Sequence, residues 1–91
     1  MIERLKANMQ TVFCLSDIEK ECFGKDAWTV RNLIAEFDNN YSYLFGAFEG
    51  EDLVGYACVR IMYEEAQVCN VAVLPNYRRK GYGTALIAAL T

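Results

Sequence analysis

The feature that most constrains the fold is a series of three β-prone runs separated by short polar turns. The three runs are residues 41–49, 53–63 and 66–73. Polar segments at residues 50–52 and 64–65 separate them, and Pro75 ends the last run. Such short connections favour antiparallel neighbours in a sheet. The sequence therefore predicts a three-stranded antiparallel meander.

Ahead of the meander, the sequence predicts a short strand at residues 2–5 and two helices. Asn8 is a suitable N-cap for the first helix and Gly24 a suitable end, and Thr29 can cap the second helix. The apolar residues at near-helical spacing in the first helix are Met9, Val12, Phe13, Ile18 and Cys22. The apolar stripe of the second helix is Val30, Leu33, Ile34 and Phe37. We expect both stripes to be buried.

The last segment, residues 84–91, consists of strong helix formers and predicts a third helix. Leu86, Ile87 and Leu90 are available to face a sheet. The pattern ends without a glycine or asparagine cap, a terminal Lys or Arg, or a following turn. We therefore expect residues 1–91 to form a single domain that is cut before its fold is complete.

Composition and charge limit the classes of function. Hydrophobic residues make up 54% of the chain and charged residues 23%, which favours a folded core over disorder. A net charge of −3 argues against a chain whose main task is to bind nucleic acid. The sequence shows neither a secretory leader nor a membrane-spanning apolar run, so we expect a cytoplasmic protein with no membrane partner.

Histidine and cysteine usage limits the chemistry further. The chain contains no histidine, which excludes a Ser-His-Asp triad, a Cys-His pair and a histidine-based metal helix. The four cysteines are Cys14, Cys22, Cys58 and Cys69. They lie within apolar runs without a C-x-x-C pair, so we expect reduced thiols in the core rather than a zinc site. We expect no metal cofactor.

Residues 70–84 are the segment that carries chemistry, because a strand is followed there by a short basic loop with glycines and then by a helix. Gly81 and Gly83 allow backbone N–H groups to point inward at the N-terminus of the helix, where the helix dipole favours an anion. The basic residues of the loop are Arg78, Arg79 and Lys80. This order suits a phosphate-binding loop, although neither G-x-x-x-x-G-K-[ST] nor G-x-G-x-x-G is present. Spacing alone is equally compatible with a solvated basic turn.

The loop and the strand before it resemble a known family. Residues 78–83, R-R-K-G-Y-G, resemble the [Q/R]-x-x-G-x-[G/A] pyrophosphate loop of the GNAT superfamily of N-acetyltransferases, and residues 65–73, E-A-Q-V-C-N-V-A-V, resemble its fourth strand. The chain is most similar to the ribosomal-protein-alanine acetyltransferase branch, which also matches Ile18-Glu19-Lys20, Phe23 and Trp28. The resemblance implies the N-terminal half of an α+β (α/β) fold, in the order strand, helix, helix, three strands and helix, with a mainly antiparallel sheet.

The resemblance also implies a coenzyme site. In that family the pantetheine of acetyl-CoA lies along the fourth strand and pairs with backbone groups, which here belong to Val71 and Val73. Amides of the loop would hold the pyrophosphate, and amides of the strand would polarise the thioester carbonyl. The implied coenzyme-binding residues are Val71, Ala72, Val73, Arg78, Arg79, Lys80, Gly81, Tyr82, Gly83 and Thr84.

The catalytic residues are not identified in this chain. The resemblance places a base-associated glutamate and a tyrosine acid beyond Thr91. Histone-acetyltransferase relatives carry their glutamate base on the fourth strand, where this chain has Gln67, which cannot accept a proton at neutral pH. Glu64 and Glu65 are simplest to interpret as solvated turn residues. We expect Tyr82 to pack or to contact solvent. For Trp28, Tyr41 and Tyr43 we favour core packing, with contact to an acceptor peptide as the alternative.

Three functions remain open at this point. The first is transfer of acetyl from acetyl-CoA to an amine, with a protein N-terminal α-amine as the implied acceptor and small amines as the alternative. The second is a non-catalytic module that binds CoA or self-associates, through the fourth strand or by exchange of terminal elements. The third is a nucleic-acid binder that uses residues 78–80, which ranks last because of the acidic background.

Overall fold

A computed structural model describes residues 1–89 as one four-stranded sheet with three helices. The strands are β1 (Ile2–Arg4), β2 (Ser42–Glu49), β3 (Asp52–Met62) and β4 (Glu65–Val73). The helices are α1 (Met9–Phe23), α2 (Val30–Asp38) and α3 (Tyr82–Ala89). The sheet is antiparallel throughout and has the order β1-β2-β3-β4. The predicted meander and the predicted order of elements are confirmed.

Helices cover both faces of the sheet. Leu15 of α1 and Leu33 of α2 are fully buried together with Tyr56 of β3 on one face. Leu86 of α3 is fully buried together with Ala57 of β3 on the other face. Successive side chains of a strand point to opposite faces, so neighbouring residues of β3 contribute to two separate apolar layers.

Both predicted helix N-caps are confirmed. Asn8 Oδ1 accepts a hydrogen bond from the amide of Thr11 at 2.8 Å. Thr29 and Asn32 exchange side-chain to backbone hydrogen bonds of 3.1 Å in a capping box. Gly24 ends α1, as predicted, with a φ of +56°. These side chains satisfy amides that have no partner within the first helical turn, which explains where the two helices begin.

The buried face of α1 differs from the predicted apolar stripe. Met9 and Phe13 are 48% and 54% exposed, whereas Leu15 is fully buried. The buried residues of α1 are Val12, Leu15, Ser16, Ile18 and Glu19. Positions 12, 15, 16 and 19 follow helical spacing, but two of these residues are polar, so apolar periodicity alone does not show the stripe.

The other two helices also depart from their predicted patterns. Ile34 of α2 and Ile87 of α3 are 36% and 50% exposed, so neither belongs to a buried stripe. Helix α3 begins at Tyr82, two residues before the predicted start. Leu90 and the predicted end of this helix lie outside the described residues.

All four cysteines are free thiols, as predicted, but their burial differs. Cys58 is buried and Cys14 is exposed, so the prediction of a core thiol is wrong for Cys14. Burial, followed by the charge of Glu36, raises the pKa of Cys58 to about 12. The Cys58 thiol therefore stays protonated at neutral pH, when it is a poor nucleophile.

Residues 1–89 contain neither a metal cluster nor a membrane-spanning helix. In this part of the chain, no group of three or more His, Cys, Asp or Glu side chains is placed to hold a metal ion. Its helices all fall short of the length and apolar character that crossing a membrane requires.

The turn between β3 and β4 holds two residues in an unfavourable backbone conformation. Tyr63 and Glu64 have φ values of +51° and +69°, between the paired residues Met62 and Glu65. A two-residue hairpin turn with positive φ at both positions is of type I′, which favours Asn-Gly. The left-handed conformation costs a residue with a side chain about 1–2 kcal/mol, so this turn is strained.

We expect the double substitution Tyr63→Asn with Glu64→Gly to raise Tm by about 4–8 °C. The change removes most of the strain, and after allowance for the chain entropy of glycine a gain of about 1 kcal/mol remains. Thermal unfolding followed by circular dichroism measures the shift. Glu51→Asn, in the turn between β2 and β3, is the control and should leave Tm nearly unchanged. A double variant with the wild-type Tm would contradict the strain assigned to this turn.

A buried carboxylate joins α2 to the sheet. Glu36 is 8% exposed and accepts hydrogen bonds from Ser42 Oγ (2.6 Å) and Arg60 Nε (3.3 Å), with a further contact from Arg60 Nη2. Burial alone would raise the pKa of Glu36, but the hydrogen bonds from Arg60 and Ser42 and the charge of Arg60 outweigh it and lower the pKa. The folded state therefore favours the ionised form of Glu36.

We expect Glu36 to contribute a pH-dependent part of the stability. Because the folded-state pKa is lowered, the contribution is fully present above the usual value of 4.5 and is lost as pH falls through the folded-state pKa. Thermal unfolding at neutral and at acidic pH should show a smaller loss of Tm on acidification in Glu36→Gln than in the wild type. Glu3→Gln, which removes an exposed carboxylate, controls for net charge. Equal losses in Glu36→Gln and wild type would contradict the lowered pKa.

Candidate functional site

One side of β4 is unpaired within the described sheet, and its backbone faces outward there. Val73 pairs in register with Gly55 of β3. The amide of Leu74 donates to the carbonyl of Val54 at 2.9 Å, a bond that flanks a non-hydrogen-bonded pair at Val73 and Gly55. Both residues of such a pair direct N–H and C=O away from the partner strand. Val73, and by alternation Val71, therefore present backbone groups at this open edge.

Ala72 has the opposite orientation. It pairs with Tyr56, so its N–H and C=O point toward β3, and its side chain is 4% exposed within the core. Of the three strand residues predicted to bind the coenzyme, Val71 and Val73 direct backbone groups to the open edge, where the Val73 carbonyl already accepts hydrogen bonds from Cys22 Sγ at 3.4 Å and from Arg78 Nε. Ala72 lies between them without an accessible backbone group.

A β-bulge interrupts β4 just before the open edge. Asn70 pairs with Cys58 and Val68 pairs with Val59, so Cys69 is the extra residue of the strand. A bulge bends the strand and increases its local twist. The residues that follow Cys69 are paired with β3 again, from Asn70 with Cys58 to Val73 with Gly55, in a register shifted by one residue.

The segment after β4 turns sharply into α3. Arg79 and Gly81 have φ values of +68° and +87°. The amide of Ala85 donates to the carbonyl of Gly81 at 2.9 Å, which is the first bond along the helix. The amides of residues 82–84 consequently have no partner within α3. They lie at the positive end of the helix dipole, which makes this position suitable for an anion such as a pyrophosphate.

The two glycines of the loop meet different requirements. Gly81 has a φ of +87°, which residues with a side chain rarely adopt, although no atom lies within 4 Å of the position that its Cβ would occupy. At Gly83 a Cβ would meet only Val73 Cγ2, at 4.0 Å. Backbone conformation therefore requires glycine at position 81, whereas position 83 has room for a methyl group.

Two of the three basic side chains of the loop already have partners. Arg78 Nε donates to the carbonyl of Val73 at 3.0 Å and thus covers part of the open edge. Lys80 Nζ lies 3.8 Å from a carboxylate oxygen of Glu49 and 5.2 Å from the ring centre of Tyr77. A phosphate at the loop would therefore compete with Glu49 for Lys80. Arg79 and Thr84 are exposed beside the start of α3.

The aromatic residues near the site have mostly packing contacts. The rings of Tyr82 and Tyr77 meet edge to face with centres 6.5 Å apart, and both pack against the core beside α3. Trp28 packs against the core on the opposite face of the sheet. Tyr43 is partly buried, whereas Tyr41 is 52% exposed. The predicted packing role is confirmed for Tyr82 and Trp28 and is wrong for Tyr41.

The candidate substitutes for a catalytic base are all exposed. Glu64 lies in the strained turn, and Glu65 and Gln67 lie in the first part of β4. Solvated side chains of this kind are ordinary for a protein surface. The predicted solvation of Glu64 and Glu65 is confirmed.

Sequence reasoning did not single out a buried carboxylate beside β4. Glu19 of α1 is fully buried and accepts hydrogen bonds from Asn70 Nδ2, from the Tyr56 hydroxyl and, at 3.0 Å, from the amide of Trp28. Burial, together with the Glu19 carboxylate, raises the pKa of Tyr56, so its hydroxyl remains a donor. The sequence signal for Glu19 was its position seven residues after Val12, on the buried face of α1.

Comparisons with known proteins show the family and the fold of the chain. Residues 12–91 match the family described as acetyltransferase (GNAT) family. No curated protein matches the sequence significantly. Among solved structures, the ribosomal-protein-S18-alanine N-acetyltransferase from Escherichia coli superposes with a TM-score of 0.83 and 21% identity, over 99% of this chain and 57% of that chain.

Two further structures have the same fold. The PaiA N-acetyltransferase from Thermoplasma acidophilum, in complex with coenzyme A, superposes with a TM-score of 0.80 and 19% identity, over 98% of this chain and 69% of that chain. The aminoglycoside acetyltransferase meta-AAC0020 from an uncultured soil metagenomic sample, in complex with sisomicin, superposes with a TM-score of 0.79 and 26% identity, over 98% of this chain and 65% of that chain. The chain thus spans only part of the length of each of these proteins.

Proposed function

The chain belongs to the acetyltransferase (GNAT) family, and from that membership we propose that it binds acetyl-CoA and serves the transfer of its acetyl group to an amine. The observation that carries the proposal is that the open edge at Val71 and Val73 leads into the start of α3, where the amides of residues 82–84 have no partner within the helix. Pantetheine amides would extend the sheet along this edge, as an added strand does. The pyrophosphate would then reach the amides of residues 82–84.

The chemistry that this chain contributes is positioning and polarisation. In the transfer, the amine nitrogen forms a bond to the thioester carbon, the carbon–sulfur bond breaks, the nitrogen loses a proton and the thiolate gains one. Edge amides of β4 would donate to the carbonyl oxygen as negative charge develops on it. Glu64, Glu65 and Gln67 have no arrangement suited to the proton transfers, so we assign to residues 1–89 only the binding and polarising parts.

For the acceptor we propose the α-amine of a protein N-terminus in the cytoplasm. The support is the similarity of residues 18–20, Phe23, Trp28 and residues 65–73 to the ribosomal-protein-alanine branch. An aminoglycoside amine is the competing acceptor, because meta-AAC0020 shares 26% identity with this chain. Isothermal titration of the chain, saturated with acetyl-CoA, with a peptide that begins with alanine and separately with sisomicin compares the two acceptors by binding, which needs no turnover. Binding of sisomicin without binding of the peptide would overturn the proposed acceptor.

The open edge also supports a second candidate, a module that pairs with itself and binds CoA without catalysis. Ile61, Met62 and Val68, on β3 and β4, are 42%, 40% and 50% exposed. An unpaired strand with apolar neighbours is a template for pairing with another strand. Light scattering over a range of concentrations tests this candidate, and a monomer throughout would count against a homodimer.

Isothermal titration with acetyl-CoA tests the proposed function of the chain. We expect saturable binding of one coenzyme molecule per chain. S-acetylpantetheine is the matched control ligand, since it can pair with β4 but has no pyrophosphate to reach α3, and it should bind more weakly. A folded chain that binds neither ligand would overturn the proposal.

A further inference from the structure

Glu19 connects three segments of the fold through one buried carboxylate. Its hydrogen bonds come from Asn70 of β4, from Tyr56 of β3 and from the amide of Trp28 between α1 and α2. All three donors are neutral groups. An ionised carboxylate loses its hydration on burial and depends on such bonds for compensation. An apolar side chain could fill the same space without that requirement, so packing alone does not explain a glutamate here.

The contact with Asn70 lies at the interruption of β4. Cys69, the preceding residue, is the bulged position of the strand. A bulge bends the strand, so the residues after it, Asn70 to Val73, pair with β3 in a register shifted by one residue and take their direction from the bend. Those residues include Val71 and Val73, whose backbone groups form the open edge. Glu19 therefore holds β4 from the helix side where the ladder is interrupted.

We propose that Glu19 is a positioning residue that holds Asn70, and with it the edge amides of Val71 and Val73, in the geometry that binds the coenzyme. The identity of the ligand rests on the proposed function. The contacts of Glu19 from which we argue are those of the free protein. The same carboxylate ties the connection between α1 and α2 to β4 through the Trp28 amide. Trp28 is the single tryptophan of the chain, so its fluorescence reports on this network.

The variant Glu19→Gln tests the role of the charge, because it keeps the size of the side chain. We expect it to shift the amide NMR signals of Val71 and Val73 in the free protein. We also expect acetyl-CoA binding to weaken about tenfold, since hydrogen bonds to a charged group are stronger than those to a neutral one. Glu21→Gln, at an exposed position of α1, is the matched control and should leave both readouts unchanged.

A double variant, Glu19→Gln with Asn70→Asp, distinguishes positioning from general damage. It places the carboxylate on β4 and the amide on α1, so residue 19 now donates the hydrogen bond and residue 70 accepts it. The Tyr56 hydroxyl keeps a carboxylate as its acceptor. We expect the double variant to recover the wild-type amide NMR signals of Val71 and Val73 and most of the affinity for acetyl-CoA. Asn70→Asp alone brings two carboxylates together and should not recover either.

Three outcomes decide the inference. Unchanged Val71 and Val73 signals in Glu19→Gln would overturn it. An affinity that simply follows Tm across the variants, without recovery in the double variant, would also overturn it, because that result is expected of a merely structural residue. A wild-type chain that binds no acetyl-CoA would instead overturn the proposed function, and the edge-amide signals of the free protein would still decide whether Glu19 positions the edge.

Discussion

Gly81→Val is expected to weaken acetyl-CoA binding by at least about tenfold in a chain that still folds. Residue 81 has a φ of +87°, and the left-handed conformation costs a residue with a side chain about 1–2 kcal/mol, and more if it is β-branched. A factor of ten in affinity corresponds to about 1.4 kcal/mol. Relief of the strain would rotate the loop and turn the amides of residues 82–84 away from the pyrophosphate. Isothermal titration of the variant measures the loss.

Gly83→Ala is the matched control for this experiment. A Cβ at position 83 meets no atom closer than 4.0 Å, and alanine favours a helical conformation over glycine by about 1 kcal/mol. We therefore expect near wild-type affinity and slightly higher stability. This difference gives a physical reason for the pattern that the loop resembles, which requires glycine at the first position and allows alanine at the second. Similar losses of acetyl-CoA affinity in Gly81→Val and Gly83→Ala would mean that the backbone conformation at position 81 is not the cause of the loss.

Features that depend on a few neighbouring residues could be predicted from the sequence. Asn8 and Thr29 cap helices because their side chains reach amides only three residues away. The meander follows from three apolar runs and two short turns. The predicted anion site at the start of α3 rests on glycines and basic residues within one loop, and it stays a prediction. The caps and the loop depend on residues close together in the chain, and the meander depends on the order of three neighbouring runs.

The rest depends on contacts between distant parts of the chain. The bonds that Glu19 accepts from Tyr56 and Asn70 join residues 37 and 51 positions apart, so helical spacing from Val12 can place this carboxylate on the buried face of α1 but cannot show which donors it binds. The outward direction of the Val71 and Val73 backbone depends on the register between β3 and β4, which the bulge changes by one residue. Register is set by pairing and by the buried faces, and neither can be read from β4 alone.

Leu15→Ala is expected to lower the free energy of unfolding by about 3–5 kcal/mol, more than any other single substitution proposed above. Leu15 is fully buried in the layer between α1 and the sheet, and its removal loses apolar burial and leaves a cavity. A domain of this size has a free energy of unfolding of about 5–14 kcal/mol, so the loss is a large part of the total. Urea unfolding followed by circular dichroism measures the change in the free energy of unfolding.

Phe13→Ala, two residues earlier on the same helix, is the control that tests the assignment of the buried face. Phe13 is 54% exposed, so its truncation should cost less than about 1 kcal/mol although phenylalanine is the larger side chain. Apolar periodicity alone predicts a larger loss of stability for Phe13→Ala than for Leu15→Ala, because it places Phe13 in the buried stripe and omits Leu15. A larger loss for Phe13→Ala than for Leu15→Ala would mean that α1 is rotated about its axis. Glu19 would then also leave the core, and its contact with Asn70 would be lost.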